Sequence, residues 1–100
     1  MRREIYSVYD NVANVYNMPF FAINNAFAKR DFENSIKRAD TLLSTNPNDF
    51  DLYCLGGFDD STGYVTSYEC PFKILSGAEV KQKYDAEFNK ELDERLKEGR

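Results

Sequence analysis

Residues 4–10, EIYSVYD, alternate with a period of two: Ile5, Ser7 and Tyr9 fall on one face and Tyr6, Val8 and Asp10 on the other. Alternation rich in β-branched and aromatic side chains predicts a strand. Asp10 and Asn11 supply turn chemistry, after which VANVY either continues the strand or pairs back on it before Pro19 breaks the pattern. Beyond Asn24 the period changes. Ala22, Ile23, Ala26, Phe27, Phe32, Ile36, Ala39 and Leu43 recur mainly at steps of three and four, with neither Gly nor Pro from Asn24 to Ala39. That spacing predicts a helix capped by Asn24 or Asn25, with Lys29, Arg30, Asp31, Glu33, Lys37 and Arg38 on its outer face. The turn formers STNPND at 44–49 end it.

An apolar run from Leu52 to Phe58 leads into Asp59-Asp60-Ser61-Thr62-Gly63, and the chain resumes as Tyr64, Val65, Thr66. This reads as a hairpin whose turn uses Gly63 for a positive φ. Gly56 and Gly57 inside the first arm predict a bulge or the close approach of another backbone. CPFKILSG then runs to a second helix, with Ser76 as cap and Glu79 closing a capping box. From Ala78 to Lys97 there is no breaker, and Val80, Tyr84, Phe88, Leu92 and Leu96 recur every four residues. A strict period of four drifts around a 3.6-residue helix, so this stripe cannot face one flat surface along its length. Its far half is expected to project from the domain or to pack on a second copy.

The order of elements predicts an α+β fold: a small antiparallel sheet of three to four strands packed on one face by one helix, followed by a long charged C-terminal helix. Residues 1–75 form the core domain and 76–100 the amphipathic helix. One hundred residues support one core, and 15 aromatic residues supply much of its bulk.

Charge narrows the function. The net charge is −4, and the acidity is concentrated in the middle: residues 41–75 hold one basic and five acidic side chains. Binding nucleic acid through phosphates alone would call for the opposite balance. No apolar run reaches membrane-spanning or signal-peptide length, so a cytoplasmic location and no membrane partner are expected. Cys54 and Cys70, without CxxC spacing, are expected as free, buried thiols, and with no His in the chain neither a metal nor a cofactor is expected.

No catalytic motif is present: there is no His base, GxSxG elbow, Walker loop or GxGxxG. The adjacent carboxylates Asp59 and Asp60 lie on a turn and point in different directions, which suits turn formation better than acid–base chemistry. The chain is therefore read as a binding module and not an enzyme. Two features are candidates for nucleic-acid binding. Tyr6, Tyr9, Tyr53, Phe58, Tyr64 and Tyr68 fall on predicted strands, where rings serve either as core, as a dimer interface or as a platform for unpaired bases. The basic pairs Arg2-Arg3, Lys29-Arg30 and Lys37-Arg38 serve phosphate contact, or, for the last two, merely solvate a helix face shared with Asp31 and Glu33. Of these, Arg2, Arg3, Lys29, Arg30, Lys37, Arg38, Tyr6, Tyr53 and Tyr64 form the candidate nucleic-acid-binding set.

The segments IYSVYDNVANVYNMPFFA, NNAFAKRDF and DFDLYCLGGFDDSTGYV, in that order over residues 4–66, and above all the pattern Tyr53, Leu55, Phe58, Asp59, Asp60, Thr62, Gly63, resemble the small nonstructural protein of the gokushoviruses, single-stranded DNA phages of the Microviridae. Beyond Pro71 the likeness weakens, and the charged helix is longer than that family's tail. The resemblance implies a counterpart of microvirus protein C, acting in viral DNA replication and packaging in the bacterial host, with no catalytic residue to carry over. The function so implied is a nonstructural phage protein that binds single-stranded DNA or the replication complex. The alternative is an adaptor that recruits or inhibits a host replication factor through its acidic hairpin and charged helix, without touching DNA. A homodimer is expected in either case, formed through the C-terminal helix, a sheet edge or both.

Overall fold

The computed structural model describes residues 1–38 and 41–98. Alternation at the start of the chain becomes strand β1, Arg2–Asp10. Asp10 accepts the backbone N–H groups of Val12 and Ala13 through its carboxylate, and Asn14 takes a positive φ of 59°, so the chain reverses. Two short strands, β2 (Val15–Tyr16) and β3 (Phe20–Ala22), then lie end to end along the same edge of β1. Of the two courses open to VANVY, the chain takes the one that pairs back.

Helix α1, Asn25–Lys37, starts where Asn24 accepts the Phe27 N–H through its side chain. It is shorter than the apolar pattern suggests: it ends at Lys37, and Leu43 belongs to a separate turn of helix, α2 (Leu42–Thr45), with its own Thr41–Ser44 capping box. Ala39, counted on the helical stripe, lies outside the described residues. The buried stripe is Ala28, Phe32 and Ile36, four apart, whereas Ile23 and Phe27 are exposed. A 3-10 turn at Pro47–Asp49 then leads into β4 (Phe50–Asp59), and the hairpin returns as β5 (Val65–Ser76).

Among the described residues five strands form one antiparallel sheet, ordered β2-β1-β4-β5 with β3 also on β1. The α+β class holds, with five strands in place of the three or four expected. Tyr6, Leu52, Cys54 and Phe50 on one sheet face meet Ala28, Phe32 and Ile36 of α1 and Val80 to form the core. Glycine at position 56 has a packing reason: a Cβ there would run into the Thr66 carbonyl, and the β4–β5 register shifts beside it. Gly63 sits in the hairpin turn with φ 77° and nothing near the position of a Cβ. Gly63→Val therefore costs backbone strain alone, an expected loss of about 1–2 kcal/mol in urea unfolding, with Gly63→Asn losing less.

Helix α3, Gly77–Glu98, opens with the expected reciprocal cap: the Glu79 N–H donates to Ser76 Oγ and the Ser76 N–H to Glu79 Oε2. Val80 is buried in the core, Lys83 pairs with Glu33 at 3.8 Å and Lys37 lies over the Tyr84 ring. Further along, Phe88, Leu92 and Leu96 are exposed, and the molecule measures 63 Å along its long axis against 31 and 22 Å across. Among the described residues no helix is long and apolar enough to cross a membrane.

Candidate functional site

The β1 alternation assigns the two sheet faces. On the covered face Tyr6 is fully buried and its hydroxyl donates to Asn25 Oδ1 at 2.6 Å, which ties β1 to the start of α1. Burial pushes its phenol up to about 12. Tyr6, named from the sequence for base stacking, is thus a core residue with no ring face available to a ligand. Next to it Glu4 accepts the Tyr68 hydroxyl at 2.9 Å, Arg2 Nε at 3.1 Å and the Cys54 thiol at 3.7 Å. Burial raises the Glu4 carboxyl, but the hydrogen bonds from Tyr68 and Arg2 outweigh it and leave the group below its ordinary value. Cys54 is buried there, and desolvation pushes its thiol up. Cys70, expected inside, is exposed. It lies in an irregular stretch of β5, where Tyr68–Pro71 have no register partners and Leu55 alone stands opposite on β4.

The opposite sheet face carries rings. Tyr9 and Tyr16 are direct cross-strand partners with ring centroids 4.7 Å apart, and Tyr53 meets both edge-on at 6.0 and 5.7 Å. Further along the same face Phe21 and Phe58 pack edge-on at 5.7 Å, next to Ile5 and Arg3, their respective strand partners. Each such pair contributes about 0.5–1.5 kcal/mol beyond area burial. Tyr16 is 42% and Phe21 54% exposed, so the packed rings still present apolar surface to solvent. From Ile5 to Tyr9 the two clusters are about 13 Å apart along β1. Two cations flank them: Arg3, half-buried on β1, and Lys73, the register partner of Tyr53, which pairs with Asp51 at 3.5 Å.

The structure brings together only part of the set that the sequence singles out. Arg3 and Tyr53 share the ring-bearing face. Arg2 reaches back toward Glu4, and its guanidinium occupies the space over Gly57. Tyr64 is 75% exposed beside the hairpin turn and joins neither ring cluster. Lys29, Arg30, Lys37 and Arg38 are exposed on and just after α1, on the other side of the sheet, where Lys37 and Arg38 line a groove with Lys81 and Tyr84. They lie across the sheet from the rings. Tyr9 and Phe58 are legible as strand aromatics. Tyr16, Phe21 and Lys73 are not in the set, because the pairing of VANVY and the bulges of β5 decide where they point. A signal exists all the same: Pro19, in the three-residue gap between Tyr16 and Phe20, interrupts the returning edge, which permits two short strands in line.

The hairpin acids are used internally. Asp59 accepts both the N–H and the hydroxyl of Ser61, which holds its carboxyl below the ordinary value, and Asp60 pairs with the Met1 amino group. Among the described residues no group of three or more His, Cys, Asp or Glu side chains is placed to hold a metal.

A family model described as Phage ORF5 protein matches residues 3–80, which take in nearly the whole sheet, α1 and the first turn of α3. No curated protein and no solved structure matches the chain.

Proposed function

Because the chain belongs to the Phage ORF5 protein family, we propose that it is a nonstructural phage protein that binds single-stranded DNA on the open face of its sheet. The observation that carries this reading is the pair of ring clusters, Tyr9/Tyr16/Tyr53 and Phe21/Phe58, on the face that α1 does not cover. Unpaired bases stack on such rings whatever their sequence, and duplex DNA hides those faces. Arg3 and Lys73 each supply a phosphate contact. The resemblance to the gokushovirus nonstructural protein supports assigning this binding to genome synthesis and packaging in the host cytoplasm. Of the hairpin acids that the adaptor reading would use, Asp59 accepts the Ser61 hydroxyl and Asp60 pairs with the Met1 amino group, both at the surface.

Fluorescence anisotropy with a labelled oligothymidylate, across a salt series of roughly 50–300 mM, tests the assignment. With two phosphates contacted, the log–log slope of affinity against salt is expected at about −1.4. Tyr53→Ala and Tyr16→Ala should each weaken binding by roughly 1–3 kcal/mol, about 5- to 150-fold. Replacing Lys29 and Arg30 by Ala should leave it unchanged, since both lie across the sheet from the rings. Equal affinity for duplex and single strand, or loss of binding on removing the α1 basics alone, would overturn the open-face site.

A further inference from the structure

Helix α3 leaves the body of the protein after about two turns. Val80 is buried, Tyr84 is half-covered by Lys37, and beyond them Phe88, Leu92 and Leu96 are 58%, 45% and 62% exposed. The stripe advances about 40° per four residues. It is therefore a single i±4 ridge, the kind that packs against another helix. On one side it is flanked by Lys81, Asp85, Asn89 and Asp93, on the other by Lys83, Glu87, Glu91 and Arg95.

We propose that this ridge is a homodimer interface in which α3 of a second copy lies antiparallel, with the two-fold axis at residue 91. In that register Tyr84, Phe88, Leu92 and Leu96 of the two copies interdigitate. Glu87 of one copy faces Arg95 of the other, twice by symmetry, as an isologous contact requires, and one like-charge contact is left on the axis, Glu91 against its own copy. Moving the axis to residue 89 sets Asp85 against Asp93, Lys83 against Arg95 and Glu87 against Glu91, three like-charge confrontations on each half. Moving it toward residue 86 drives the second helix into the body that buries Val80. The sheet edge is a poor competitor, because β5 carries Pro71 within its irregular stretch and β2 and β3 are short. The inference does not depend on the DNA-binding reading.

Sedimentation equilibrium of the full chain from about 1 to 100 µM tests it, with a dimer mass expected at the upper end. Glu87→Arg and Arg95→Glu each place like charges at both facing positions, and each should raise the dimerisation midpoint about tenfold or more. Mixing the two variants restores opposite charges at both positions and should return the midpoint to that of the unaltered chain. Phe88→Asp should abolish the dimer without lowering the thermal transition of the body, since Phe88 lies outside the core. A monomer throughout the range would overturn the proposal. So would a mixture no tighter than its components, the result expected of a parallel pair or a sheet-edge dimer.

Discussion

Phe32→Ala is expected to lower stability by about 3–5 kcal/mol, the cost of deleting a large buried ring whose surroundings collapse only partly. Phe32 is 2% exposed and sits midway along the Ala28, Phe32, Ile36 stripe, under the sheet residues Tyr6, Phe50 and Leu52. It is the largest side chain that α1 gives to the core, so no neighbour on the helix can fill the gap. For a domain of this size each kcal/mol moves the melting temperature by roughly 4–8 °C, so a fall of about 12 °C or more should appear in a thermal scan. Phe27→Ala is the internal control: that ring is 48% exposed and lies outside the core, and its loss should shift the transition little. Equal effects from the two variants would mean that the helix packs on a different face.

Gly77→Ala is expected to be destabilising by about 1–3 kcal/mol, opposite in sign to what helix propensity predicts. At an ordinary helical position Ala is favoured over Gly by about 1 kcal/mol. Gly77, however, is the first residue of α3, and a Cβ on it would overlap the carbonyl oxygen of Pro47 and lie 2.7 Å from that of Phe50. Neither backbone yields easily. Pro47 opens the 3-10 turn, and Phe50 is buried and paired with Asp10 in the sheet. Inserting one carbon into so tight a site forces the helix start away from the turn. Urea unfolding should show the loss, and amide exchange should show reduced protection in the first turns of α3. A stabilised variant would mean that helix α3 does not dock where Pro47 and Phe50 place it.

The candidate site is half legible in the sequence. Alternation in β1 by itself separates Tyr9 from Tyr6, because successive side chains of a strand point to opposite faces. It does not say which face α1 covers. Docking of Ala28, Phe32 and Ile36 decides that, making Tyr6 core and leaving Tyr9 on the ring-bearing side. For the same reason the basic pairs of α1 look like partners of the rings along the chain, although the sheet separates them in space. Tyr16 joins the cluster only through its pairing with Tyr9, and Lys73 through its register opposite Tyr53.

What the sequence by itself determined was local: a helix cap at Asn24 or Asn25, the positive-φ Gly63 turn and the Ser76–Glu79 capping box. Each depends on hydrogen bonds and dihedral preferences within about four residues, and these are encoded by the residues in place. What only the tertiary structure decided involves residues far apart in the chain: the covered face of the sheet, the β5 irregularity opposite Leu55, the burial of Cys54 against the exposure of Cys70, and the approach of Pro47 to Gly77. These contacts form when two surfaces meet. Their outcome depends on the summed fit of both surfaces, so neither segment read alone contains it.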